Sequence, residues 1–378
     1  LHVALPDTWL RARDRLLAST RFQHWALRFP LTRYIARRRA SALFDICAGF
    51  VYSQVLLACV RLKLFERLRA GPRSLSGLEA ELGLTRDALL TLLNAAQALG
   101  LVRWSRGGEQ CGLGQHGAAL LGNPGLLPMI EHHAAFYSDL RDPVALLRQG
   151  GGAQNLSSYW SYARADNPTA ATSQQVESYT ALMAASQSLI SSEILGAYDL
   201  TRHRALLDVG GGDGTFCVAA ASAAPRLLIR CFDLPAVAER AQRRFANAGI
   251  ADRAQAFGGS FLSDPLPTGC DVISLVRVLH DHDDAQALRI LRGVRDAIAP
   301  DGTLLIAEPL AGTTGGAHVA EAYFGMYLLA MGSGKPRNLR SVSDLLTGAG
   351  FSQPTVRSTR LPMNVRVLVA RPARNNKV

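Results

Sequence analysis

The feature that most restricts this chain is a short apolar run that ends abruptly in glycines. Ala205-Leu206-Leu207-Asp208-Val209 leads directly into Gly210-Gly211-Gly212-Asp213-Gly214, and Thr215 to Ala224 then follows helical spacing. A buried strand, a glycine turn and a helix start, in that order, open a parallel α/β sheet. Glycines there permit positive φ and let a ligand approach bare backbone, while the helix start offers unpaired N–H groups. A dinucleotide loop would read G-x-G-x-x-G, but the position of its last glycine is Thr215 here; the spacing is G-x-G-x-G, at 210, 212 and 214.

The second half of the chain continues the pattern. Leu227 to Phe232 predicts a second strand ending at Asp233, and a third near Ala254 to Phe257 leads into Gly258-Gly259-Ser260-Phe261. A fourth, Asp271 to Val276, precedes Arg277-Val278-Leu279-His280-Asp281. The turn Ala299-Pro300-Asp301-Gly302 introduces a fifth, Thr303 to Ala307, ending at Glu308; runs at 355–359 and 365–370 complete seven strands. Open α/β sheets hold ligands at the carboxyl ends of their strands. Asp233 stands there, and a carboxylate can accept both hydroxyls of a ribose. Its other reading is a surface residue opening the Asp233-Leu234-Pro235 turn.

His280-Asp281-His282-Asp283-Asp284 invites a metal reading, but ligands would still be needed from elsewhere, and no metal is expected. Asp283 or Asp284 is placed to cap a helix from Ala285 to Ala297. His280 follows the fourth strand on the edge shared with the glycines and Asp233. A neutral imidazole there can act as general base, its unperturbed pKa being about 6.5. Glu308 can hold its other nitrogen and fix the tautomer. The alternative is a purely structural histidine.

Before residue 200 the texture is helical. Ala42 to Leu68 predicts a long apolar helix closed by Gly71-Pro72; Asp45, Ser53 and Gln54 within it mark a buried helix, not a membrane span. A short helix near 75–82, a second from Arg86 to Leu99 capped by Thr85, and a hairpin around Gly107-Gly108 make a winged helix. A DNA-reading helix would present several Arg, Asn or Gln side chains, yet only Arg86, Asn94 and Gln97 are offered, which favours dimerisation over nucleic acid. Residues 114–200 carry His132, His133, Phe136, Tyr137, Tyr159, Trp160, Tyr162 and Tyr179, suited to a cavity wall or to a core.

Charge is concentrated at the start. Residues 1–40 hold nine arginines against Asp7 and Asp14, a net of +7 out of +11 for the chain, interleaved with Trp9, Phe22, Trp25, Phe29 and Tyr34. Such an arm suits an anionic lipid surface, packing on a partner subunit, or nucleic acid. Scattered cysteines without a C-x-x-C pair, and no visible secretory leader, fit a reducing cytoplasm.

Four motifs in order, Leu207 to Gly214, Phe232 to Pro235, Arg277 to Asp281 and Gly334 to Arg337, resemble the S-adenosylmethionine-dependent small-molecule O-methyltransferases of the caffeate and acetylserotonin type. The resemblance covers about residues 45–371. It implies an α/β fold: a seven-stranded Rossmann-like sheet with an N-terminal winged-helix-like dimerisation domain. Three parts are expected, an arm at 1–41, a dimerisation and substrate-lining region at 42–200, and a catalytic domain at 201–378. By the same likeness Gly210, Asp233, Ser260, Phe261 and Arg277 match cofactor positions, His280 the base and Glu308 a supporting acid; Gly212 and Leu234 are further candidate cofactor contacts. The chain departs from the family in having Ser260 in place of Asp, His282 in place of Trp, and Pro336 in place of the second supporting Glu.

Tyr323, Met326, Tyr327, Ala330 and Met331 share one helical face, a greasy substrate wall or a core stripe. Tyr179, Met183, Tyr323, Met326 and Tyr327 are the candidate substrate contacts. The arm and the segment Phe44 to Gln54 resemble the carotenoid O-methyltransferases of purple photosynthetic bacteria. That likeness implies a homodimer, a hydroxycarotenoid substrate and a cytoplasmic enzyme touching the inner or photosynthetic membrane. A tetrapyrrole or phenol methyltransferase, and a non-catalytic winged-helix regulator, are the competing readings.

Overall fold

A computed structural model describes residues 7–123, 125–152, 154–159, 187–313, 318–361 and 365–373. The chain divides into two compact units, 1–122 and 123–378.

In the first unit, α1 (Asp7–Ala18) and α2 (Thr20–Arg28) form the basic arm and α3 (Arg33–Arg61) follows. One helix was expected over 42–68. Instead α3 starts nine residues earlier, and Lys63 at φ 52 separates it from α4 (Leu64–Arg67). The expected burial is also corrected. Leu57, Cys59 and Val60 are buried, but Leu43, Phe44, Ile46 and Phe50 are exposed, Ile46 at 79%. By length and composition alone α3 could cross a membrane. Its apolar pattern is real, but the described residues provide no neighbour for that face.

The winged helix forms as expected. Strand β1 (Arg73–Ser74) precedes α5 (Leu75–Leu82) and α6 (Arg86–Ala98), then β2 (Val102–Trp104) and β3 (Gln110–Leu113) make the hairpin, with sheet order β1-β3-β2. Thr85 caps α6 by accepting from Ala88 N. Two of its three candidate base-reading groups are engaged internally: Arg86 with Glu79, and Asn94, which accepts from Trp104 Nε1 at 3.2 Å. Helix α7 (Gln115–Leu121) ends the unit.

The second unit begins with α8 (Leu126–Asp139), α9 (Pro143–Arg148) and α10 (Gln154–Tyr159). Phe136, Leu146 and Leu156 bury against Tyr327, Leu328 and Met331, so these helices pack with the sheet domain although they lie before residue 200. The sheet strands are β4 (Ala205–Val209), β5 (Leu228–Asp233), β6 (Ala254–Gly258), β7 (Val272–Val276), β8 (Thr303–Glu308), β11 (Thr355–Arg357) and β12 (Arg366–Ala370). Their order is β11-β12-β8-β7-β4-β5-β6, parallel from β8 to β6, with β12 antiparallel to both neighbours. Strands β4, β7 and β8 are buried along their whole length, as their unbroken apolar runs require. Helices α11 (Thr215–Ala223), α12 (Pro235–Asn247) and α13 (Asp284–Ala297) follow β4, β5 and β7. The order turns outward at β4, between β5 and β7, which opens a crevice at the carboxyl ends of these strands.

Candidate active site

The glycine loop takes the predicted backbone. Gly210, Gly212 and Gly214 have φ of 70, 59 and 79, a region costly for residues with a Cβ. A Cβ on Gly211 would lie 2.6 Å from Cys231 Sγ and 2.7 Å from Asp208 Oδ2, whereas one on Gly212 would meet nothing within 4 Å. The loop is therefore pressed on the sheet at Gly211 and faces open space at Gly212. Beneath it Asp208 accepts from Ser274 Oγ at 2.6 Å and Cys217 Sγ at 3.7 Å, and burial pushes its carboxyl up to about 7.

Asp233 stands at the end of β5, beside the loop. Its Oδ2 accepts from Gly212 N at 2.8 Å and its Oδ1 from Leu234 N at 2.7 Å. Burial raises its carboxyl to about 6, against the lowering effect of those two amides. Each oxygen retains acceptor capacity. Ser260 Oγ accepts from Leu262 N, and Asp264 Oδ2 accepts from Ser260 N at 2.8 Å, so a carboxylate lies next to the position where the resemblance leads one to expect Asp. Phe261 and Val278 flank Gly210, and Phe261 meets the His282 ring edge-on at 5.4 Å. Arg277 is held in a left-handed conformation at φ 57, its amide donating to Ala307 O at 2.8 Å. Backbone strain of this kind concentrates at functional sites.

His280 lies in a short 3₁₀ turn, Leu279–Asp281, after β7. Its Nδ1 is 2.5 Å from Glu308 Oε2. The pair is 28 residues apart in sequence, but β7 and β8 are parallel neighbours with Val276 opposite Ala307, so both side chains emerge at one rim. Glu308 Oε1 also accepts from Val278 N and Leu279 N, at 2.9 and 2.7 Å. Sequence reasoning missed that Nε2 faces Asp281 Oδ1 at 3.1 Å. Burial disfavours the charged ring, yet the carboxylates of Asp281 and Glu308 outweigh it and raise the His280 pKa above 6.5. Burial in turn raises the Asp281 carboxyl. Asp283 caps α13 through Gln286 N at 2.8 Å. Among the described residues no group of three His, Cys, Asp or Glu is placed to hold a metal.

The expected substrate helix begins as a π-helix, His318–Phe324, and continues as α14 (Gly325–Met331). Tyr327, Ala330 and Met331 are buried in the core with Phe136, while Tyr323 and Met326 are half-buried at its edge. His133 Nε2 pairs with Tyr323 OH and His132 Nε2 with Tyr327 OH, each at 2.7 Å. Burial lowers both imidazole pKa values, that of His132 to about 4 with help from His133, which leaves neutral, satisfied pairs. Phe324, which the helical stripe omitted, meets Tyr323 edge-on at 5.2 Å and the His280 ring at 6.1 Å. A π-turn shifts the register, so no α-helical count would find it. Tyr179 and Met183 lie outside the described residues.

An O-methyltransferase domain model matches residues 137–352, and an O-methyltransferase dimerisation domain model matches residues 44–121, which include the exposed face of α3 and support a homodimer. The demethylspheroidene O-methyltransferase of Cereibacter sphaeroides is 42% identical over 90% of this chain and 89% of its own length. That of Rhodobacter capsulatus is 38% identical over 94% and 88%. Among solved structures, an O-methyltransferase of neocarzinostatin biosynthesis in complex with S-adenosylmethionine and 2-hydroxy-5-methyl naphthoic acid superposes with a TM-score of 0.63, at 26% identity over 85% of this chain and 95% of that one. By the span of the domain match and the identity to these relatives, this chain belongs to the O-methyltransferase family.

Proposed function

We propose that this enzyme methylates the hydroxyl of an apolar small molecule, the tertiary hydroxyl of a hydroxycarotenoid of the hydroxyneurosporene or demethylspheroidene type, with His280 as general base. The observation that carries the reading is the His280–Glu308 pair on the rim that also holds the glycine loop and Asp233. S-adenosylmethionine is the methyl donor, and bound there its sulfonium supplies the methyl group and departs as a neutral thioether.

The loop and its neighbours suit that donor. Gly212 is open to close approach, Gly210 packs under Val278 and Phe261 with the positive φ that the turn needs, and Asp233 has lone pairs left for ribose hydroxyls beyond its two amide bonds. Leu234 orients the carboxylate through its amide, while Ser260, Phe261 and Arg277 form the remaining candidate contacts. Glu308 holds Nδ1, so the proton goes to Nε2, where the Asp281 carboxylate 3.1 Å away favours the charged ring that results. A tertiary alcohol is far less acidic than imidazolium, so its proton moves to Nε2 as the new C–O bond forms rather than beforehand. Alignment of the two reactants supplies much of the rate.

The acceptor class rests on the two relatives named for demethylspheroidene and on the wall around His280. Phe324 beside His280, and Tyr323 packed on Phe324, offer apolar surface, and the neutral imidazole–phenol pairs leave no charge on it. The test is incubation of purified enzyme and labelled donor with a hydroxycarotenoid, a phenol and a tetrapyrrole in parallel. Label should appear as a methyl ether on the carotenoid. Transfer only to the phenol or the tetrapyrrole would remove the carotenoid assignment, and transfer to none of them would contradict the reading.

The arm is the part of the enzyme that meets the membrane carrying such a substrate. Trp9, Trp25 and Tyr34 are exposed among the arginines, and Trp25 stacks on Phe29 at 5.0 Å. Aromatic and basic side chains together favour the interface of an anionic bilayer. The protein should sediment with phosphatidylglycerol vesicles, much less with phosphatidylcholine vesicles, and come off as salt rises toward about 0.5 M. Equal binding to both, or to neither, would remove the membrane role.

A further inference from the structure

The turn that carries His280 is gripped twice. Glu308 takes its leading amides, as described above, and a second segment takes its carbonyls. All four carbonyl oxygens from Leu279 to His282 accept hydrogen bonds from residues 333–337. Arg337 Nη1 donates to Leu279 O, Lys335 N to His280 O at 3.0 Å, Ser333 Oγ to Asp281 O at 3.0 Å, and Arg337 Nη2 to His282 O at 2.7 Å.

Arg337 is the centre of this arrangement. It is 4% exposed, and its Nε and Nη2 also bind Asp284 Oδ1 at 3.0 and 2.9 Å. A buried guanidinium must be paired to be tolerated, and its planar fork can fix several acceptors at once where an ammonium would act as a point charge. Its backbone is anchored too: Arg337 and Asn338 form strand β10, paired in parallel with β9 (Leu310–Ala311), so Arg337 is opposite Leu310, two residues after Glu308. Close approach of the segment depends on Gly334, at φ 78, where a Cβ would lie 2.1 Å from His280 O. The two grips therefore share one anchor region, the end of β8.

We propose that the segment Ser333–Arg337, and Arg337 above all, is a positioning clamp that aims the His280 imidazole at the acceptor hydroxyl. Pro336, at the position where the family resemblance expects a second supporting acid, has no group to hold the ring; the clamp holds the turn on either side of the ring instead. Arg337 is a positioning residue in this proposal, not a catalytic one. It acts through the backbone of Leu279 and His282. The inference rests on His280 being the base.

Arg337→Met, Arg337→Lys, Ser333→Ala and His280→Ala are compared by kcat, KM for the acceptor, donor affinity by calorimetry, and the pH dependence of kcat. A displacement of about 1 Å at a reacting group costs about 100-fold in rate, so Arg337→Met should lose about that in kcat with donor affinity unchanged. Arg337→Lys keeps the charge but cannot bridge Leu279 and His282, and should lose about 10-fold. Its acid limb should also move down toward about 6.5 as the ring loosens from Glu308. Ser333→Ala, which removes a single bond, should lose about 3-fold in kcat.

Wild-type kcat and an unmoved acid limb in folded Arg337→Lys would overturn the clamp, as would losses of kcat and donor affinity in equal measure. If Arg337→Met fails to fold, Arg337→Lys and Ser333→Ala decide the matter, and unchanged kcat in both would overturn it. His280→Ala separates the two ideas. Turnover lost there but kept in the Arg337 variants removes the clamp alone, while turnover kept in His280→Ala removes the base and the clamp with it.

Discussion

His280→Ala is expected to bind the donor as the wild type does and to lose methyl transfer by about 10²–10⁴-fold, the span of general-base contributions. The ring has one nitrogen 2.5 Å from Glu308 and the other 3.1 Å from Asp281. His282 is turned toward Phe261, and burial keeps its pKa low despite Asp281 nearby. Removing the ring leaves buried Glu308 with its two amide partners among the described residues, and His280→Asn, which can still donate to that carboxylate, serves as the control for collapse of the turn. Single-turnover transfer from labelled donor is the measurement. Turnover within a few-fold of wild type in either variant would remove the base assignment.

Asp233→Ala should weaken donor binding by about 100-fold, roughly 3 kcal/mol, the size expected when hydrogen bonds to a charged acceptor are lost. Part of the effect is indirect, because Asp233 also holds the amides of Gly212 and Leu234 and so shapes the loop. Asp233→Asn should fall between the two, since an amide oxygen can accept while its nitrogen cannot. Wild-type affinity should also fall as pH drops through about 6, because the protonated carboxyl accepts less well and burial has raised it to that range. Calorimetry of both variants across pH provides the check. Unchanged affinity in Asp233→Ala would count against the ribose role.

The sheet and its rim were legible because their signals are local. Unbroken apolar runs mark β4, β7 and β8, and the glycines at 210, 212 and 214 take the positive φ that their spacing requires. Glu308 could be matched to His280 because adjacent parallel strands bring their ends together whatever lies between them. What escaped depends on tertiary placement. The partners of four consecutive carbonyls cannot be read from a backbone that carries the same groups everywhere, so the grip of Arg337 was invisible. Phe324 escaped because a π-turn breaks the count of 3.6, and Tyr327 was read as wall as readily as core because both require the same stripe. The α3 face shows the same ambiguity in another form: hydrophobicity demands a cover but does not say whether the cover is this chain or a second copy.

The most direct test of the account is a calorimetric titration of the purified wild-type protein with S-adenosylmethionine in the absence of any acceptor. Saturable binding at one site per chain, weakened by Asp233→Ala and preserved in His280→Ala, is the predicted result. No measurable heat of binding, or binding indifferent to Asp233, would contradict the assignment of this rim as the donor site.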